Sequence, residues 1–337
     1  MGLPLLLLLG GVLSHESAHI LQYDGVYEGS KVTTVPTFAL SNGVELPQLG
    51  FGTWQLDSNS ATTEVQRVCS LAKPASIDTS PDYGNQLTVG EALKGQPIGS
   101  YFLTTKINPE SDFTAANAYL RSMAQLEGNL KELGVSQVDL VLIHFPAAMA
   151  FQSNSVGPTN MGTNQACTVE AEMWRAMEAF YTSKKARAIG VSNFCPSTFA
   201  CILPNATVVP HVNQVNYHVG MGDDPGGIRS FCKSKGTQLQ AYSVLGAPSH
   251  VKQVLASPAL LKIAKAHSVS AATIAERWAV QKGVAIVTTS TQSEHLREAL
   301  KVFSLTLSGA EMSELDALSI VGGDGPGGAD YSFVCKE

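Results

Sequence analysis

What this chain lacks removes several classes of function at the outset. No run of lysine and arginine occurs in its 337 residues, and the net charge is −6 with a pI near 5.8. That balance argues against nucleic acid as a partner. Six cysteines are present, Cys69, Cys167, Cys195, Cys201, Cys232 and Cys335. None forms a CxxC pair, and none joins a Cys/His cluster at metal-ligand spacing. No metal is expected, and the scattered thiols read as isolated residues rather than a disulfide framework. No stretch reaches the roughly 20 apolar residues that a membrane-spanning helix takes.

The longest apolar run, residues 3–13, fits the core of a secretory signal. Residues 1–18 are therefore expected to be a targeting segment, for the secretory route or for a plastid. The chain is cytoplasmic if the segment does not act as a signal. Residues 19–36 read as a linker without periodicity, 37–321 as one folded domain, and 322–337 as a flexible tail rich in glycine. Asn205-Ala206-Thr207 is an N-glycosylation sequon, meaningful only in a chain that enters the secretory pathway.

The hydrophobic fraction of 44% is ordinary and sufficient for a large core. Residues 38–46 read as a β-hairpin turning at Ser41-Asn42-Gly43, of the kind that can cap the bottom of a barrel. Strand candidates follow at 49–52, 76–78, 101–106, 139–144, 188–191, 212–215, 238–242 and 285–288. Helical patterns lie between them. The clearest is 115–133, with Leu120, Met123, Leu126, Leu130 and Leu133 at three- or four-residue spacing. Others are 169–181, 270–282 and 293–303. Strands alternating with helices point to a closed parallel barrel or a doubly wound sheet. No GxGxxG follows the first strand, which disfavours the latter.

In such a barrel the active site lies at the carboxyl ends of the strands. Those ends carry Trp54, Asp78, Lys106, His144, Ser192-Asn193, Gln214, Tyr242 and Ser290. Tyr83 follows Asp78 by five residues. A phenol, with a pKa near 10, becomes a useful acid only beside a cation that favours the phenolate. Lys106 is the candidate cation. Taken singly, each residue has a plainer reading as a turn former, core filler or solvated charge; jointly, at strand ends, they read as a site. The strand ends offer no pair of carboxylates, which glycosidase chemistry needs. Residues 146–167 are expected to cover the barrel mouth as a loop.

The ordered motifs Leu49-Gly50-Phe51-Gly52-Thr53-Trp54, Ile77-Asp78-Thr79, Tyr83-Gly84-Asn85 and Thr104-Thr105-Lys106 continue along the chain. Asp139 to Pro146, Gly190-Val191-Ser192-Asn193, Asn213-Gln214-Val215-Asn216 and Ala241-Tyr242-Ser243 follow. From about Phe38 to Leu318 the chain resembles the aldo-keto reductase family. The resemblance implies a (β/α)8 TIM barrel with an N-terminal hairpin cap. It also implies reduction of an aldehyde or ketone by hydride transfer from NADPH, and a monomer. It implies a catalytic tetrad of Asp78, Tyr83, Lys106 and His144, with Tyr83 as general acid, Lys106 lowering its pKa, Asp78 holding Lys106, and His144 orienting the carbonyl. Gly52, Thr53, Ser192, Asn193, Gln214, Tyr242, Ser243, Leu245, Ser290 and Glu298 would contact the cofactor. Trp54 and Phe145, with Tyr83 and His144, would face the substrate.

One departure matters. The family commonly has a lysine and, several residues later, an arginine that grip the 2′-phosphate of NADPH. Thr289 and His295 stand there instead. A neutral threonine cannot replace a charge-assisted bond, so NADH is open as well as NADPH. The rival reading is a non-catalytic NAD(P)-binding regulatory barrel, against which the intact tetrad argues.

Overall fold

The computed structural model describes residues 32–152, 155–158, 162–246 and 250–320. Residues 1–31, with the expected targeting segment and most of the expected linker, and residues 321–337, with the expected tail, lie outside the described residues.

Short runs of β-branched and apolar residues form eight parallel strands that close on themselves. They are β1 (Leu49–Gly52), β2 (Ala75–Asp78), β3 (Tyr101–Ile107) and β4 (Val138–Ile143). Then come β5 (Ala186–Ser192), β6 (Val212–Asn216), β7 (Gln238–Tyr242) and β8 (Ala285–Thr288). The strands pair in chain order, and β8 closes the ring by pairing with β1 through Val287 and Gly50. The fold is thus a (β/α)8 barrel, as expected, and all eight strand candidates fall on its strands.

Helices return the chain between strands. They are α1 (Ser58–Leu71), α2 (Gln86–Ala92), α3 (Ala118–Leu133), α4 (Thr163–Thr182), α5 (Pro196–Ile202) and α6 (Ile228–Lys235). Local chemistry sets their ends. Asp57 caps α1 by accepting from the Ser60 amide at 2.9 Å, and Gly134 ends α3 in the left-handed conformation. Leu120 departs from the expected pattern: it is 69% exposed, while Leu126, Leu130 and Leu133 bury the face of α3. Among the described residues, no helix is long and apolar enough to cross a membrane.

Strand alternation divides the core in two. Leu103, Val141, Ile143, Ile189 and Ile286 belong to the large cluster shared with the helices. Their neighbours Phe102, Leu140, Leu142, Ala188, Val212 and Ala285 form a second cluster inside the barrel. Leu40 and Leu46 join this inner cluster. They come from the antiparallel hairpin of Thr37–Ala39 and Glu45–Pro47, so the hairpin plugs the amino-terminal end. Higher in the barrel the same inward rows turn polar, from Phe102 to Thr104 and Lys106 and from Leu140 and Leu142 to His144. An apolar floor thus carries a polar mouth.

Three expectations need correction. The linker is shorter than expected: Thr33–Thr34 pairs in parallel with Ala72–Lys73, and Val35 is buried in the core. The span 146–167 is not all loop. Met149–Gln152 pairs with Ser155–Pro158, and a further helical turn opens α4 at Thr163. The cysteines are not all isolated thiols. Cys167 on α4 and Cys201 on α5 form a disulfide, and Cys195 is disulfide-bonded as well. A bridge across a separation of 34 residues is worth about 3–4 kcal/mol in the chain-entropy account. Spacing along the chain hid the pairing, because two packed helices bring the sulfurs together. Cys69 and Cys232 are free thiols.

Gly190 shows how tightly the inner wall is closed. A Cβ there would meet the Val212 carbonyl oxygen and lie 2.8 Å from Leu142 Cδ2. The backbone atom cannot swing aside. Gly190→Ala is therefore expected to destabilise the barrel by about 1–3 kcal/mol, read as a lower urea midpoint. An unchanged midpoint would contradict this packing.

Candidate active site

The end of β2 brings Asp78 beside Lys106, because Asp78 pairs in register with Thr104 and Lys106 lies two residues further along the inward row of β3. Lys106 is 0% exposed and Asp78 is 4% exposed. The ammonium donates to Asp78 Oδ1 at 2.5 Å and to the Thr79 carbonyl at 3.2 Å. The other carboxylate oxygen, Oδ2, accepts from Gln214 Nε2 at 2.8 Å, and the same nitrogen donates to Gln240 Oε1 at 2.9 Å.

Tyr83 sits on a single 3-10 turn, Pro81–Tyr83, that the chain enters through Ser80 and leaves through the left-handed Gly84. The Lys106 ammonium lies 4.9 Å from the centre of the Tyr83 ring. The His144 ring meets the Tyr83 ring edge to face at 5.7 Å and stacks on Phe145 at 4.3 Å. The four expected catalytic residues therefore converge at the carboxyl ends of the strands.

Two electrostatic findings refine the expectation. The Tyr83 phenol is pushed well above its ordinary value near 10, first by burial and then by Asp78, Asp82 and Tyr242. The expected lowering by Lys106 is not met: desolvation outweighs it, and the Lys106 charge is paired with Asp78 at 2.5 Å. Burial, partly offset by Asp82, also holds the His144 imidazole below its usual 6.5.

Behind His144 stands a polar group that sequence reasoning missed. His144 Nδ1 lies 2.9 Å from Asn108 Oδ1, 3.3 Å from Asp82 Oδ1 and 3.5 Å from Ser80 Oγ. Asn108 Nδ2 donates to Asp82 Oδ1 at 3.0 Å, and Ser80 Oγ donates to the same oxygen. The Asp82 side chain is only 13% exposed. Burial opposes its charge, but the His144 ring and the Ser80 and Asn108 donors outweigh it and hold the carboxyl well below the usual carboxylate range. With Asn108 turned to present its oxygen, Nδ1 of His144 is a donor. Asn108 was legible in principle, since it follows Lys106 by two and shares its side of the chain. Asp82 carried no such signal beyond its place next to Tyr83.

Around this centre the expected cofactor residues form a connected polar set. Ser192 Oγ donates to the Gln214 carbonyl at 2.7 Å. Asn193 Nδ2 donates to the His144 carbonyl at 3.0 Å and to Ser192 Oγ at 3.2 Å, and Asn193 Oδ1 accepts from the Tyr242 hydroxyl at 2.8 Å. Asn193 and Ser243 both adopt left-handed backbone, at φ of 62° and 51°. Non-glycine residues held in this region cluster at functional sites. Thr53 is buried and donates to Thr79 Oγ1 at 3.0 Å. Trp54, 40% exposed, stands at the rim, and Leu245 is half-buried.

The expected phosphate-grip region holds a short polar chain of its own. Thr289 Oγ1 donates to the Gly52 carbonyl at 3.1 Å, and a Cβ on Gly52 would lie 3.0 Å from that same Oγ1. Ser290 Oγ lies 3.2 Å from His295 Nδ1 at the start of the helix Ser293–Leu300. Glu298, the carboxylate expected to meet an adenine, pairs with Lys301 just past the end of that helix.

The donor set fits a nicotinamide. Gln214 commits its Nε2 to Asp78 and Gln240, and its Oε1 takes no hydrogen bond from any described residue. That oxygen suits the amide of a carboxamide.

Comparison with known proteins agrees with this geometry. The sequence model of the Aldo/keto reductase family matches residues 48–320. The chain is 31% identical over 290 residues to the 9,11-endoperoxide prostaglandin H2 reductase of Trypanosoma cruzi, covering 85% of this chain and 93% of that protein. It is 31% identical over 285 residues to the glyoxal reductase of Bacillus subtilis, covering 84% and 92%. The crystal structure of an aldo/keto reductase from Brucella melitensis superposes with a TM-score of 0.72 at 30% identity, over 85% of this chain and 99% of that one. A barrel whose strand ends gather Asp78, Tyr83, Lys106 and His144, matched by family and structure over most of its length, belongs to the aldo/keto reductase family.

Proposed function

We propose that the protein reduces an aldehyde or ketone to the alcohol, with hydride from NADPH or NADH and Tyr83 as the general acid. The observation that carries this reading is the convergence of the half-buried Tyr83 phenol with a buried ammonium–carboxylate pair at the barrel mouth. The relative named as glyoxal reductase supports carbonyl reduction. Nothing in the site favours the non-catalytic alternative.

Burial keeps the Tyr83 phenol protonated through the neutral range. It can therefore hydrogen-bond a carbonyl oxygen and give up its proton as charge develops there. The phenolate that results lies beside the Lys106 ammonium, whose position Asp78 and the Thr79 carbonyl fix. A reduced nicotinamide bound at the mouth supplies the hydride. Gln214, Ser192 and Asn193 would hold its carboxamide, with Tyr242 beside them. Trp54 and Phe145 give the substrate end an apolar wall.

His144 acts with Asp82. A neutral ring that donates through Nδ1 carries no proton on Nε2. His144 can donate from Nε2 to a carbonyl only as the imidazolium, and the Asp82 carboxylate 3.3 Å from Nδ1 supports that charged form. Carbonyl reduction is then favoured on the acid side of neutrality.

For the cofactor, Thr289 donates to the Gly52 carbonyl, and Ser290 and His295 contact one another beside it. The absence of a lysine at Thr289 weakens the case for a strong NADPH preference, and we expect NADH to serve comparably.

Two experiments test this. The purified protein, assayed with NADPH and separately NADH against aldehydes and ketones, is expected to oxidise cofactor in step with alcohol formation. Tyr83→Phe should lower the rate at least 10²-fold, on the order of a lost general acid. Cofactor binding without turnover would overturn the reading. The second experiment follows kcat/KM against pH. Asp82 raises the His144 pKa, so Asp82→Asn should lower it and move the limb on which activity is lost with rising pH further toward acid. A profile unmoved by Asp82→Asn would remove Asp82 from the mechanism.

A further inference from the structure

The only Asn-X-Ser/Thr sequence in the chain is Asn205-Ala206-Thr207, with neither Pro at the middle position nor Pro after the threonine. It lies between the end of α5 and the start of β6, and both Asn205 and Thr207 are exposed. Because β6 begins at the amino-terminal face of the barrel, this connection lies on the face opposite the Asp78–Lys106 site. Its backbone is held from outside the sequon: the Glu178 carboxylate on α4 accepts from the Thr207 amide at 2.6 Å and from the Val208 amide at 2.8 Å. No hydrogen bond to a described residue engages the Asn205 side-chain amide.

A second observation bears on the compartment. Cys201, four residues before Asn205, is bridged to Cys167, and Cys195 at the other end of α5 is disulfide-bonded too. Structural disulfides form and persist in oxidising compartments and are rare where thiols are kept reduced. The helix that leads into the sequon is thus tied down at both ends by bonds that an oxidising compartment provides. The apolar run at residues 3–13 fits entry into that same compartment.

From these we infer that the protein matures in the secretory pathway and carries an N-linked glycan on Asn205. The co-reactant is an oligosaccharide joined to a polyprenyl diphosphate. The Asn205 Nδ2 attacks the anomeric carbon of its first sugar. A carbon–nitrogen bond forms, the bond from that carbon to the diphosphate oxygen breaks, the lipid diphosphate leaves with the electron pair, and the amide loses one proton. No oxidant or reductant is consumed. The inference stands apart from the reductase reading, since the glycan lies away from the barrel mouth.

The full chain, expressed in insect cells and separated into cytosolic and secretory fractions, tests this by peptide mass spectrometry. The expected result is a glycan-bearing Asn205 peptide in the secretory fraction, converted to aspartate with heavy-oxygen label when an amidase removes the glycan in labelled water. In the same digest Cys167 and Cys201 should appear as one linked peptide pair. Asn205→Gln and, separately, Thr207→Ala should each lose the modification while cofactor oxidation stays unchanged. A disulfide-linked chain in the secretory fraction with bare Asn205 would overturn the inference. So would a chain confined to the cytosol with Cys167 and Cys201 open to alkylation.

Discussion

The molecule turns on a buried ammonium paired with a buried carboxylate. Taking such ions out of water costs several kcal/mol each, and the attraction offsets this only where geometry is good and the remaining polar atoms are satisfied. Lys106 and Asp78 meet that condition. The pair stands at 2.5 Å, Thr79 takes a second hydrogen from the ammonium, and Gln214 donates to the free carboxylate oxygen. From there the hydrogen bonds run outward across the mouth. Gln214 reaches Gln240 on β7, its carbonyl takes Ser192 on β5, and Asn193 ties the end of β4 to Tyr242. Six of the eight strands are joined in this way. A charge pair that folding must bury thus also fixes the positions of the groups around the reacting atoms.

The barrel makes this placement affordable by separating its interior into two zones. The hairpin and the lower inward residues form a dry plug of leucine, phenylalanine, valine and alanine. The upper inward residues are polar and hydrogen-bonded to one another. Strand period sets which residues face inward, and on β3, β4, β5 and β6 that row runs from apolar to polar as it climbs. The larger core cluster lies between the strands and the surrounding helices, away from the mouth. The mouth residues are free to be chosen for chemistry, and two of them, Asn193 and Ser243, hold backbone conformations that ordinary packing would avoid.

Much of this was legible in the sequence because period-2 alternation and strand ends are local signals. The eight strands, the hairpin, and Asp78, Tyr83, Lys106 and His144 at the mouth were all readable from it. What escaped depended on three-dimensional neighbours. The bridge between Cys167 and Cys201 is set by how α4 and α5 pack, and no spacing announces it. The electrostatics escaped for the same reason. A lysine near a tyrosine suggests a lowered phenol, yet the loss of hydration at the phenol, followed by the nearby Asp78 and Asp82 carboxylates, reverses the direction. Asp82 sits in plain view beside Tyr83, but only the return of β3 and β4 brings Asn108 and His144 onto its carboxylate.

The most direct measurement is a paired one on Asp78→Asn, following urea unfolding and the single-turnover rate of cofactor oxidation on the same preparation. The substitution keeps the shape and leaves the Lys106 ammonium buried without its counter-charge. The expected result is a loss of about 3–5 kcal/mol in stability, together with a fall in rate on the order of 10²-fold or more. Wild-type stability with wild-type rate would contradict a barrel mouth organised by the Lys106–Asp78 pair.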